Sequence, residues 1–424
     1  MRDPFAVSAA EAQHLAETFG TPLYVVDESH LRERIRAYID GFASVYPHTE
    51  ISFASKANST LAVLQIAADE GCTIDTASEG ELEAALRAGV PAARCHLHGN
   101  NKTLAELERA AMEGVGQIVV DNFEEIERLG SMGQVPDLLI RLAPGVDPKT
   151  HGKISTGQAD TKFGFNIADG SGERALLRAL ELGLPVVGFH CHVGSQLLDP
   201  EAQRSGGALI TDFALRMRRE HGFTAKIINV GGGLGVRYQP GDQPMPIPDY
   251  CRLVVEAVRE SLQGEWEPTL VQEPGRSLVA ESGITLYTVG VVKTVPAGEG
   301  QRTYVAVDGG LSDNPRPALY GSKYPVSALP QDGRTMAEVR PMRVSGKHCE
   351  TDMLFDMVDL PDDIRPGDFV QVQCTGAYNS SMASQYNRYA RPATVIRRAN
   401  GQFELLQRRD TFDEMFARES LISL

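Results

Sequence analysis

The sequence predicts an α/β protein: a (β/α)8 TIM-like barrel joined to a second, C-terminal all-β domain of β-sandwich or barrel-like kind. Three observations carry this. Short apolar runs with β character alternate with helix-type runs over roughly 250 residues, the usual length of such a barrel. Most of these runs end in glycine or in a polar residue able to do chemistry. After about residue 283 helical periodicity largely disappears while strand-type runs continue. A single core stops growing at roughly 250 to 300 residues, so 424 residues imply two domains. We place the barrel at 28–283 and the β domain at 1–27 plus 284–424.

Taken in order, residues 11–20 form an amphipathic helix closed by Gly20, and Leu23 to Val26 a strand. The barrel strands are expected at 51–56, 72–77, 95–98, 117–121, 137–142, 186–192, 226–230 and 269–273. Between them 79–88, 104–112, 123–129, 175–182 and 250–262 carry helical spacing. Strands alternating with helices imply parallel pairing through right-handed crossovers, and eight units close a barrel. A doubly wound open sheet competes, but it needs functional strand ends only near its switch point. The β domain is expected from strands at 284–294, 303–307, 337–345, 369–374, 392–397 and 402–407, with a late helix at 412–419. Its partner is the early strand at 23–26 or the N-terminal helix, which makes it discontinuous in sequence.

Hydrophobic residues at 42% and charged residues at 23% describe an ordinary packed protein. A formal net charge of −15 argues against nucleic acid or an anionic membrane surface as partner. The opening residues carry charge and proline where a signal peptide needs an apolar core, and no later run is long and apolar enough to span a bilayer. Six scattered cysteines without a C-x-x-C pair read as free thiols in a reducing compartment, so cytoplasm is expected.

The strand ends supply the chemistry. Ile51 to Ala54 leads into Lys56, an amine expected to be partly desolvated and so able to attack an aldehyde. Alone, Lys56 reads more readily as a solvated strand cap, and the other strand ends change that reading. Asp75 with Ser78, Gly99-Asn100-Asn101, Asp121-Asn122 and Arg141 mark other strand ends expected to converge. Val230 to Gly235 offers adjacent glycines whose N–H groups can approach an anion. Glu273 and Arg276 place a carboxylate and a guanidinium at one strand end, and His192 and Ser195 an imidazole and a hydroxyl at another. His190 and His192 share a strand face. Without a carboxylate or thiolate on that face they make poor zinc spacing, and Cys95 and His96 point oppositely, so no metal is expected. A lysine, a carboxylate, a flat imidazole and a glycine cradle are together what pyridoxal phosphate needs. These groups hold its aldehyde, its pyridine nitrogen, its ring face and its phosphate in that order.

With these residues in place the chain resembles, from about residue 20 to its end, the pyridoxal-phosphate decarboxylases of the alanine-racemase-like fold type, most closely those acting on diaminopimelate. Lys56-Ala57-Asn58 resembles the cofactor-lysine motif, Asn100-Asn101-Lys102 a helix-approach motif, and Thr161 to Gly164 the marker after the arginine strand. The resemblance implies that Lys56, Asp75, His192, Ser195, Gly231, Gly232, Gly233, Glu273, Gly275, Arg276 and Tyr378 bind the cofactor. His192 would stack on the ring and Glu273 would partner its nitrogen. Asp313 to Tyr320 is similar to the motif in which Arg316 and Tyr320, assisted by Arg276 and Tyr378, bind a substrate carboxylate. Lys347 to Glu350 is similar to the motif whose cysteine, here Cys349, protonates the reacting carbon and whose glutamate, here Glu350, binds a distal ammonium. The family usually continues that motif with Ser-Gly-Asp or Ser-x-Asp, where this chain has Thr351-Asp352.

The implied catalytic set is Lys56, Cys349, His192 and Glu273. The implied reaction is decarboxylation of meso-2,6-diaminopimelate to L-lysine, in a homodimer with shared active sites. A related decarboxylase of another amino acid or of a siderophore precursor, and a catalytically silent binder of pyridoxal phosphate, stay open at this point. A racemase would need a tyrosine acid where this chain offers a cysteine.

Overall fold

The computed structural model describes residues 3–145, 161–298, 300–351 and 353–423. Asp352 of the Cys349 motif lies outside them. The chain divides into two compact units: one of residues 32–237 and 242–278, the other of 1–31, 238–241 and 279–424.

In chain order the elements begin with α1 (Ala9–Phe19), β1 (Leu23–Asp27), α2 (Glu28–Ala43), β2 (Thr49–Ala54), α3 (Leu61–Asp69), β3 (Thr73–Thr76) and α4 (Glu79–Arg87). There follow β4 (Cys95–Leu97), α5 (Leu104–Glu113), β5 (Gln117–Val120), α6 (Phe123–Gly130), β6 (Asp137–Ala143), β7 (Phe165–Asn166) and α7 (Ser171–Glu181). β8 (Val186–Cys191), α8 (Glu201–His221), β9 (Ile227–Asn229), α9 (Ile247–Leu262), β10 (Thr269–Gln272) and α10 (Arg276–Val279) complete the first half.

The larger unit is a closed barrel. Strands β2, β3, β4, β5, β6, β8, β9 and β10 pair in that order, all parallel, and β10 returns to β2. With every pair parallel, all eight C-terminal ends open on one face. β5 is buried along its whole length, as a strand covered on both sides must be. Several polar residues at the strand ends serve the helices that follow them. Ser78 accepts the Glu81 N–H at the start of α4, Asn122 the Glu125 N–H at the start of α6, and Thr103 forms a capping box with Glu106 on α5. Of the strand-end groups expected to converge, Ser78 and Asn122 are thus taken up by caps.

The smaller unit adds β11 (Gly283–Ala297), β12 (Gly300–Val307), α11 (Arg316–Tyr320), β13 (Val326–Leu329), β14 (Val339–Ser345), β15 (Met353–Pro361), β16 (Phe369–Gln373), β17 (Ala393–Arg397), β18 (Phe403–Gln407) and α12 (Phe412–Phe416). Its sheet runs β15-β14-β12-β11-β1-β17-β18, with β16 on β11 and β13 on β16. β1 is its central strand, antiparallel to β11 and parallel to β17. All five of its residues are buried, and α1 packs Ala12 and Leu15 into the core formed with Leu23, Val25 and Leu286.

Candidate active site

On the barrel unit the site is built from strand ends. Glu273 follows β10 and is 7% exposed. His190 Nε2 lies 3.0 Å from its Oε2, Asn229 Nδ2 donates to its Oε1 at 2.6 Å, and His98 Nε2 stands 3.2 Å from the same Oε1. Burial raises this carboxyl, but the two imidazoles outweigh it and hold Glu273 well below the usual carboxylate range. Asp75, also buried, is 3.6 Å from His98 Nε2. Burial and the nearby Glu273 charge push it up to about 6, against the pull of His98 and Lys56.

His192, just past β8, is half-buried. Its low-dielectric surroundings and the Lys56 and Arg141 cations push its imidazole down to about 3, so the ring is neutral at neutral pH. Its Nδ1 faces the Gly232 N–H at 3.4 Å, which ties it to the glycine turn. That turn has no room for side chains. A Cβ on Gly232 would lie 2.0 Å from the Glu273 carbonyl oxygen, and one on Gly231, whose φ is +67°, 2.3 Å from that of Cys191. Gly275 is pressed between Ala54 and Ala57. Arg276 Nη2 donates to Ser195 Oγ at 3.2 Å.

Two expectations are corrected. Lys56 sits in the single 3-10 turn Ser55–Ala57, where Ser55 and Ala57 are buried while Lys56 is exposed rather than partly desolvated, yet near enough to Asp75 and His192 for its charge to act on both. The histidine face was expected to lack a carboxylate. Glu273 occupies it, brought there from β10 across β9, a neighbour that linear spacing does not reveal. His98, His190 and Glu273 place ligand-type atoms within 4.8 Å of one another, yet hydrogen bonds from His190 and Asn229 already occupy both carboxylate oxygens.

The smaller unit carries the second group. Arg316 is 9% exposed, donates from Nε to the Tyr324 hydroxyl at 2.9 Å, and sets its guanidinium over the rings of Tyr320 and Tyr378 at 5.3 and 5.1 Å. Tyr320 is 64% exposed. Cys349, the single exposed cysteine of six free thiols, donates its backbone N–H to Asn387 Oδ1 at 3.1 Å. The Tyr386 hydroxyl donates to Glu350. Sequence reasoning missed Tyr386, Asn387 and the approach of His98 to Glu273 and Asp75. Asn387 and Arg388 both have positive φ, 51° and 59°, a strained pair that no residue type there announces.

A neutral flat imidazole, a buried ionised carboxylate, an accessible lysine and a glycine turn closed to side chains fit pyridoxal phosphate in all its parts. Fold and site together therefore define a pyridoxal-phosphate-dependent enzyme of the barrel class. Residues 30–280 match the family described as pyridoxal-dependent decarboxylase, pyridoxal binding domain. The diaminopimelate decarboxylase of Bacillus subtilis is 43% identical over 417 residues, 96% of this chain and 93% of that one. That of Mycobacterium bovis is 41% identical over 96% of this chain and 92% of its own. Among solved structures, diaminopimelate decarboxylase of M. jannaschii superposes with a TM-score of 0.89 at 32% identity, covering 97% of this chain and 94% of its own. The Helicobacter pylori enzyme complexed with L-lysine gives 0.84 at 30%, covering 96% and 98%. The chain belongs to the diaminopimelate decarboxylase family, and its cofactor is pyridoxal phosphate.

Proposed function

We infer that this protein decarboxylates meso-2,6-diaminopimelate to L-lysine and carbon dioxide. The observation that carries the reading is Glu273, a carboxylate kept ionised by two imidazoles beside a glycine turn at the barrel's C-terminal face. Bound pyridoxal phosphate supplies an aldehyde for covalent attachment and a ring that withdraws electrons from the substrate's α-carbon. Lys56 would hold the aldehyde. Glu273 would keep the pyridine nitrogen protonated, and His192, neutral, would hold the ring flat. Gly231, Gly232, Gly233, Gly275, Ser195, Arg276 and Tyr378 would hold the phosphate, and Asp75 would border the cofactor.

Arg316 and Tyr320, with Arg276 and Tyr378, grip the far carboxylate by bidentate and single hydrogen bonds. Glu350 faces the far ammonium. This pairing favours a substrate with a complete amino-acid group at its distal end over lysine, ornithine or arginine. Cys349 returns a proton to the carbon that has lost its carboxylate, so one C–C bond breaks and one C–H bond forms. The working form is a homodimer in which Cys349 and Glu350 serve the partner's cofactor, and the setting is cytoplasmic, with neither nucleic acid nor membrane as partner. Among the described residues no helix is long and apolar enough to cross a membrane.

The test is carbon dioxide release from diaminopimelate, lysine, ornithine and arginine, combined with borohydride reduction and mapping of the labelled lysine. Release from diaminopimelate at least about 100-fold faster than from the others, roughly 2.7 kcal/mol of discrimination, and a label on Lys56 are expected. A label on another lysine sinks the reading.

A further inference from the structure

Two carboxylates, Asp75 on β3 and Glu273 past β10, are both buried at the chemical face of the barrel. His98, one residue past β4, stands between them. Its Nε2 is 3.2 Å from Glu273 Oε1, off line for a completed hydrogen bond, and 3.6 Å from Asp75 Oδ1, just beyond hydrogen-bond length, so a small rotation of the ring brings it to either. Its ring meets that of His190 edge-on at 5.1 Å, and His190 in turn takes the other oxygen of Glu273 at 3.0 Å. Glu273 is therefore hydrogen-bonded by His190 and Asn229 and approached by His98, which also faces a second carboxylate.

We propose that His98 is a positioning residue whose Nε2–H is shared between Asp75 and Glu273, tying the two so that Glu273 presents a carboxylate to the pyridine nitrogen of bound pyridoxal phosphate. This rests on the reading of the site given above. Two desolvated carboxylates facing one nitrogen raise each other's pKa, and the better-donated one keeps its charge to lower pH than the other. The opposite shifts of the pair agree: Asp75 goes up and Glu273 down, with His98 acting on each. The other titratable groups bearing on the pair are Lys56 and Glu81 toward Asp75, and His190, His96, Cys191 and His192 toward Glu273, with Arg141 acting on His192.

The test uses holoenzyme reconstituted with pyridoxal phosphate carrying ¹⁵N in the ring. It reads the nitrogen's chemical shift against pH, together with kcat and KM. In His98→Phe, which removes the donor, the shift moves toward the unprotonated value at neutral pH and the acid limb of kcat moves to higher pH. Its kcat falls about tenfold with KM within about twofold, the pattern of an interaction made in the transition state. His98→Gln, which keeps an N–H of similar reach, is intermediate. The double variant H98F/D75N, which removes the second carboxylate along with the donor, returns toward wild type. An unchanged nitrogen shift and pH profile in both single variants, with only a lower thermal midpoint, overturns the proposal. If H98F does not fold, H98Q decides by the same two readouts. Failure of the underlying reading shows separately, as wild-type borohydride labelling away from Lys56.

Discussion

A single carboxyl, Asp313, illustrates how far burial sets chemistry at the residue scale. Tyr287 donates its hydroxyl to Oδ1 at 2.5 Å, Gly310 its N–H to Oδ2 at 2.8 Å, and Tyr24 its hydroxyl to the backbone carbonyl. Desolvation exceeds these bonds and pushes the acid up to about 7. The unfolded chain releases this proton near pH 4. Between that value and 7 the folded state holds more protons, so stability falls as pH rises through the window and the full penalty stands above it. Asp313→Asn cannot ionise but loses one acceptor. Its thermal midpoint is expected below wild type at pH 5, and the deficit should shrink or reverse by pH 8. Parallel melting curves at the two pH values check this; a deficit that grows with pH contradicts it. Residue identity made Lys56, Glu273 and His192 legible as chemistry in the sequence. It said nothing of their settings: Lys56 proved exposed and Glu273 surrounded by imidazoles, because each setting is made by strands far away in sequence.

Elements were legible where periodicity was clean. The eight barrel strands occur where apolar runs end in polar residues. The helices α2, α3 and α8 went unanticipated. Leu61 to Asp69 is nearly all apolar for most of its length and shows no face, while α8 carries Gly206 and Gly207 in its middle, residues that argue against a helix. Packing explains the first of them: a Cβ on Gly206 would lie 2.4 Å from Val193, whereas one on Gly207 would meet only ordinary contacts at 3.8 and 3.9 Å. The helix-approach motif read in the sequence proves to be a buried clamp between elements. Lys102 Nζ, from the β4–α5 loop, donates to the carbonyls of Gly99 and Val119 at 2.7 Å each and to Glu125 of α6 at 2.8 Å. Both partners are almost wholly buried, so removing one leaves the other's charge uncompensated. Lys102→Met should destabilise by about 3–5 kcal/mol, whereas the K102M/E125M pair should recover most of that loss. Thermal melts of the two variants decide it; equal losses in both would mean the pair's charges are not what matters.

At the scale of the whole molecule the substrate half of the proposed site lies on a unit that buries Arg316 but leaves Tyr320, Cys349 and Glu350 exposed. Tyr320 is 64% and its neighbour Leu319 59% exposed, and Cys349 and Glu350 of the same unit are exposed as well. Single exposed apolar residues are ordinary. A thiol expected to deliver a proton in a water-poor site is a different matter, because an exposed cysteine has no shelter from bulk solvent in one chain. A symmetric pair of chains resolves this if each supplies Cys349 and Glu350 to the other's Lys56, since an isologous interface makes both exchanges at once. Lys56→Ala and Cys349→Ala are each expected to lose turnover as pure proteins, the second while keeping bound cofactor and its visible absorbance. Unfolding and refolding them together in equal amounts makes about half the dimers hybrid, each with one fully wild-type site. Activity should then return to about a quarter of the wild-type value. Refolding either variant alone is the control. If the mixture stays as inactive as its parts while sedimentation shows hybrid dimers, then Lys56 and Cys349 act within one chain and the shared-site arrangement is wrong.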